Sequence, residues 1–160
     1  MNPQNLAALF DVDYRVLTRN VAGVSHEQSL ASPRPGGNCL NWVVGHILAS
    51  RGDILRLLGE RAPWSEADAA PYRRGSPPLG PGAAARPFES LLADLERTQE
   101  TLRASLAKRT PEDLAVRAPE SSPGGGTVGE TLAFLHFHEA YHAGQTGILR
   151  RFIGLPGAIA

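Results

Sequence analysis

The sequence predicts an all-α fold, a four-helix bundle with long crossover connections. Three observations carry this. Four segments of about 20 residues repeat apolar side chains at the helical period. Strand signal, the alternation of apolar and polar residues, is slight by comparison. Pro- and Gly-rich stretches separate the segments, and a long one lies between the second and third.

The first helix is expected from about Pro3 to Gly23. Asn2 suits the cap position and Pro3 the first helical position, where no backbone N–H is needed. Leu6, Leu9, Phe10, Leu17, Val21 and Val24 form one stripe, with Asp13 inside it. "SHEQSLASPRPGG" breaks the chain. The second helix is expected from Cys39 to Leu58, capped by Asn38 and stopped by Gly59. Leu40, Val43, Ile47, Ile54 and Leu58 form its apolar arc. Residues 59–86, with "RRGSPPLGPGAAARP", read as an irregular crossover whose composition offers little to fold with.

The third helix is expected from Phe88 to Arg109, with Leu91, Leu92, Leu95, Leu102 and Leu106 on one side. "TPEDL" reads as a single capped turn. Thr127 and Glu130 have capping-box spacing, so the fourth helix starts at Val128 and runs to about Ile153, where Gly154 and Pro156 end it. A chain of 160 residues without internal repeats is read as one domain over positions 1–160.

Composition narrows the function classes. Lys plus Arg and Asp plus Glu both number 16, so the formal charge is zero. Nucleic-acid binding needs clustered basic residues, and nothing here supplies them. No apolar run reaches membrane-spanning length, and the first residues lack the pattern of a signal peptide. Cys39 is the only cysteine, so no internal disulfide forms. A reducing cytoplasm is the expected location, and Cys39 reads as a small buried hydrophobe.

The chemistry concentrates in "HFHEAYHAGQ", His136 to Gln145. At about 100° per residue, His138 and His142 lie within about 40° of each other, on the line of Phe134, Leu135, Leu149 and Phe152. Two imidazoles one turn apart reach one ion. They also occur as core histidines with separate hydrogen-bond partners, and spacing alone leaves both open. His136 falls on the far side and is expected to be exposed. A third imidazole is available in "NWVVGHIL", where His46 sits at the edge of the second helix's arc and Gly45 permits a close helix approach. Three neutral imidazoles leave a tetrahedral ion one open position.

"NWVVGHI" followed far downstream by "HEAYHAGQTGILRRFIGLP" resembles the DinB/YfiT-like family of metalloenzymes, over nearly the whole chain. The resemblance implies an up-down-down-up four-helix bundle, usually a homodimer. It implies a divalent metal, often zinc or nickel, on His46, His138 and His142. Some relatives use low-molecular-weight thiols as cosubstrates.

The expected function is metal-dependent chemistry on a small molecule, as a hydrolase or a thiol S-transferase. Glu139 and Asp13 are the candidate catalytic bases. Glu139 stands in an H-E-x-x-H pattern, which in zinc peptidases supplies the base. The third histidine lies upstream rather than downstream, and no strand is available to align a peptide, so a peptidase is disfavoured. Otherwise Glu139 reads as a helix-flank or interface residue, and Asp13 as an outer hydrogen-bond partner of a ligand or an irregularity of its helix near solvent. Arg73, Arg74, Arg150 and Arg151 are candidates for an anionic cosubstrate, Gln145 for orienting a ligand. Trp42 and Tyr141 read first as core aromatics and second as pocket walls. The non-enzymatic alternative is a metal-stabilised, stress-related binding protein.

Overall fold

The computed structural model describes residues 1–33, 35–79 and 85–159. Four long helices dominate: α1 (Pro3–Val21), α3 (Leu40–Leu57), α5 (Phe88–Ala107) and α7 (Val128–Phe152). Short ones join them: α2 (His26–Ser29), α4 (Glu66–Ala69) with a 3₁₀ turn at Ala70–Tyr72, and α6 (Pro111–Ala115). No strand occurs among the described residues, only an isolated bridge between Arg117 and Thr127. The fold class is the all-α bundle that the periodicity predicts.

Cross-helix contacts give the directions. Phe10 meets His136, and Asn20 donates to the Ala143 carbonyl and to Thr146, so α1 and α7 run parallel. Asn41 reaches the Arg86 carbonyl, Arg51 the Leu95 carbonyl and Arg109 the Leu58 carbonyl, so α3 and α5 run parallel. His46 meets His142, and Arg51, further along α3, meets Glu139, earlier on α7, which sets the two pairs antiparallel. The result is up-down-down-up.

Capping chemistry sets most helix starts. Asn2 accepts from the N–H groups of Gln4 and Asn5. Thr110 with Asp113 and Thr127 with Glu130 form reciprocal capping boxes, as the spacing predicts. Ser25 with Gln28 and Ser65 with Asp68 form two more. The second long helix differs from expectation: Cys39, not Asn38, is its cap, without a side-chain bond. Cys39 is buried, as expected of a small hydrophobe.

Two corrections concern packing. The crossover is not irregular throughout. Trp64, Ala69, Tyr72 and Leu79 are buried in the core, so the segment carries apolar anchors of its own. Residues 80–84 of the expected loop lie outside the described residues. The buried arc of α7 is also rotated from the predicted line. It runs through Leu132, Leu135, Glu139, His142, Ala143, Thr146 and Leu149, while Phe134 and Phe152 are exposed. Leu9 of α1 is exposed as well. No helix among the described residues is long and apolar enough to cross a membrane.

Candidate metal centre

His46 sits on a helix whose residues from Leu40 to Ala49 are all buried. The edge position is therefore closed, because the crossover covers it. Gly45 makes this possible: a Cβ there would run into the Tyr72 ring. The glycine thus admits the 3₁₀ turn rather than another long helix. Tyr72 is held by its hydroxyl, which donates to Asn41 and accepts from the Arg86 N–H. Its carbonyl accepts from His46 Nδ1 at 2.7 Å. The proton is thereby assigned to Nδ1, and the Nε2 lone pair of His46 faces inward. Trp42 stacks on the His46 ring at 4.7 Å and donates its N–H to Ser76.

The fourth-helix histidines meet it there. His46 Nε2 lies 3.0 Å from His138 Nε2. Ring centroids are 4.9 Å apart for His46–His138, 4.7 Å for His46–His142 and 4.5 Å for His138–His142. One nitrogen from each ring lies within 4.8 Å of the others. His142 Nδ1 donates to Gln145 Oε1 at 2.8 Å, which turns its other nitrogen toward the group. His138 Nδ1 is buried without a hydrogen-bond partner among the described residues.

Burial lowers all three imidazole pKa values, because charging a ring in a dry place is unfavourable. His138 falls to about 4, through burial first and then the neighbouring His142 and His46. His46 is lowered by burial, against its bond to the Tyr72 carbonyl, and His142 by burial, against its bond to Gln145. Neutral imidazoles are the form that donates to a metal. Two nitrogens bound to one tetrahedral zinc stand about 3.3 Å apart, close to the observed approach. Two of the rings carry the outer hydrogen bond that orients a ligating histidine. The residues fit a divalent ion.

The candidate bases stand elsewhere. Glu139 is not a helix-flank residue: it is buried at the centre of the α7 arc. Both its oxygens accept from Arg51, at 2.9 Å from Nε and 2.6 Å from Nη2. Asp13 is buried with Oδ2 3.2 Å from His136 Nε2, outside hydrogen-bond geometry. His136 is consequently half-buried, with its ring edge-on to Phe10, rather than exposed as expected. Asp13 thus faces the histidine outside the group of three. Its pKa is raised to about 7, by burial first and by the Glu139 charge second.

A family model described as the DinB superfamily matches residues 9–146. The chain belongs to the DinB superfamily. A crystal structure of a conserved protein from Enterococcus faecalis shares this DinB chain's fold, with a TM-score of 0.69. The match covers 94% of this chain and 95% of that one at 14% identity, so it speaks to fold alone. No curated protein matches the chain.

Among the other expected site residues of this DinB chain, Arg73 is engaged by Asp53 and Glu66, and Arg150 by the carbonyls of Asn20, Ala22 and Pro156. Tyr141 is exposed, with its ring edge-on to His142 at 5.1 Å, so it is not a core aromatic. Two contributors escaped the sequence reading. The Tyr72 carbonyl left no signal, since any residue has one. Arg51 did leave one: it falls on the arc of Ile47 and Ile54, and an arginine on an apolar arc needs a buried anion.

Proposed function

We propose that His46, His138 and His142 hold one divalent metal ion, zinc or nickel, and that the chain is a metal-dependent enzyme acting on a small molecule. The convergence of three imidazole nitrogens, each within 4.8 Å of the others, carries this reading. When bound, such an ion lowers the pKa of a coordinated water or thiol toward neutrality. His46 and His142 are oriented for donation by Tyr72 and Gln145. Trp42 walls one side of the group by stacking on His46, and Tyr141 flanks His142.

Of the two reactions, thiol S-transfer is favoured over hydrolysis. A hydrolase gains from a protein base beside the open position. Glu139 is committed to Arg51, and Asp13 faces His136. A thiol that coordinates a metal is deprotonated outright and needs no such base.

The test is metal analysis of the purified protein, followed by assays of electrophile consumption with and without low-molecular-weight thiols. Turnover that requires both metal and thiol supports the transferase. Thiol-independent hydrolysis selects the hydrolase. Retained metal without turnover across the panel selects the binding role.

A further inference from the structure

A cavity of about 500 Å³ opens between α3, α7 and the crossover. Leu57 of α3 and Leu135 of α7 give it apolar walls, and Arg56, Arg73 and Glu66 give it charge. Thr131 lines it as well, and is buried with no hydrogen-bond partner for Oγ1 among the described residues. A buried hydroxyl without a partner is costly, and an occupant with a polar end relieves it. The cavity begins beside the histidines. Leu135 lies one turn before His138, and Arg73 directly follows Tyr72, whose carbonyl holds His46. Asp53, to which both arginines are tied, lies seven residues after His46, or about 10 Å along α3.

Glu66 displays what the two arginines can hold. Its carboxylate bridges them, with Oε1 2.8 Å from Arg56 Nη2 and Oε2 3.3 Å from Arg73 Nη2. Asp53 faces the same two arginines from α3, which closes a ring of two cations and two anions. The members are not equally fixed. Asp53 belongs to a long helix, whereas Glu66 is 70% exposed and stands on the four-residue helix α4. With Glu66 swung out, the ring carries one uncompensated positive charge. Exposed ion pairs contribute little, so Glu66 gives way readily to a carboxylate that also brings apolar surface to bury.

We propose that a carboxylate of the small-molecule substrate replaces Glu66 between Arg56 and Arg73, and that the substrate's reacting group lies about 10 Å away at the three histidines. The substrate class is then a carboxylic acid with an apolar middle and a metal-binding far end. Two guanidinium groups offer a carboxylate parallel N–H donors. Leu57 and Leu135 cover the middle, and the Thr131 hydroxyl is left for the polar end. Asp53 holds the net charge of the opened site at one, which suits a monoanion better than a phosphate dianion. The link to the histidines rests on the metal reading above, whereas the carboxylate site does not.

The test begins with calorimetric titration of hexanoate into the full chain, with inorganic phosphate alongside. Hexanoate is expected to bind the wild type, to bind Glu66→Gln several-fold more tightly, and to lose binding in Arg56→Gln and Arg73→Gln. If an arginine variant loses helix content by circular dichroism, the gain in Glu66→Gln decides alone. A Glu66→Gln variant that binds hexanoate no better than the wild type overturns the proposal. So does phosphate bound more tightly than hexanoate, which assigns the arginines to a phosphoryl group. For the link, suberic monohydroxamate carries a metal-binding group and a carboxylate at opposite ends. It is compared with its methyl ester by the visible absorption of the cobalt-loaded protein. The acid is expected to bind several-fold more tightly than the ester, and to lose that advantage in Arg73→Gln while the ester is unaffected. Equal affinities for acid and ester in the wild type overturn the link. A protein that takes up no cobalt sinks the metal reading and the link together, and leaves the carboxylate site to the hexanoate result.

Discussion

Arg51 and Glu139 form a bidentate ion pair in the middle of the bundle, with both side chains almost wholly buried. Arg51 is five residues past His46 on α3, and Glu139 directly follows His138 on α7. Arg51 also donates to the Leu95 carbonyl, Thr98 and Gln99 of α5. One arginine therefore registers three helices, two of which carry the histidines.

Removing one partner of a buried pair strands a charge, typically at about 3–5 kcal/mol, whereas replacing both by apolar residues is often neutral. Arg51→Met and Glu139→Leu are expected to destabilise by roughly that amount singly. The double variant is expected to recover most of the loss. Urea unfolding of the four proteins checks this, and additive losses would mean that the two groups do not depend on each other.

Gly45→Ala places a methyl where the Tyr72 ring lies. Overpacking of this kind costs about 1–3 kcal/mol. Displacing Tyr72 also removes the acceptor of His46 Nδ1. A lower Tm and weaker cobalt binding are expected together, and an unchanged cobalt titration would show that Tyr72 does not orient His46.

Gln145→Ala removes the partner of His142 Nδ1. Loss of such an outer partner lowers metal affinity about 10–100-fold. His46→Gln, His138→Gln and His142→Gln are each expected to lose more. Competition titration with a chromophoric chelator ranks the four, and a Gln145 variant as impaired as the histidine variants would make the amide a ligand itself.

Asp13 gives a pH dependence of definite sign. Its pKa rises on folding from 3.8 to about 7, so the folded state holds this proton more tightly than the unfolded one. The associated stability is fully present below the unfolded value and is lost as pH rises through about 7. Stability relative to Asp13→Asn should therefore fall between these limits, with a slope approaching ~1.4 kcal/mol per pH unit. Above pH 7 the asparagine variant should be the more stable protein. Parallel unfolding curves at every pH would show that Asp13 keeps its ordinary pKa on folding.

Metal retention should follow the histidines. Their pKa values are lowered by burial, so the imidazoles stay neutral below the ordinary imidazole range. Acid then displaces metal only by protonating them, and affinity falls as pH falls. Metal content after dialysis from pH 7 to 4 is expected to hold through pH 6 and to collapse toward the lower end. Release already complete at pH 6.5 would contradict this.

By itself the sequence determined the four long helices and most of their starts, because periodicity and capping are local properties. Leu91, Leu95 and Leu102 lie on a buried stripe, and Thr127 and Glu130 cap α7, where the pattern puts them. It also marked His46, His138 and His142 as the residues to bring together. Only the tertiary structure decided what each side of a helix meets. His136 and Glu139 belong to the same motif, yet one faces Asp13 and the other Arg51, because α1 and α3 approach α7 from different directions. His46 is closed off by a turn of the crossover, a contact between residues far apart in the chain that no local pattern encodes. The second apolar face of α7 blurred the periodic signal, since Phe134 and Phe152 are as apolar as any core residue while pointing outward. Hydrophobicity tells a chain to bury a side chain, and only the packed bundle says against what.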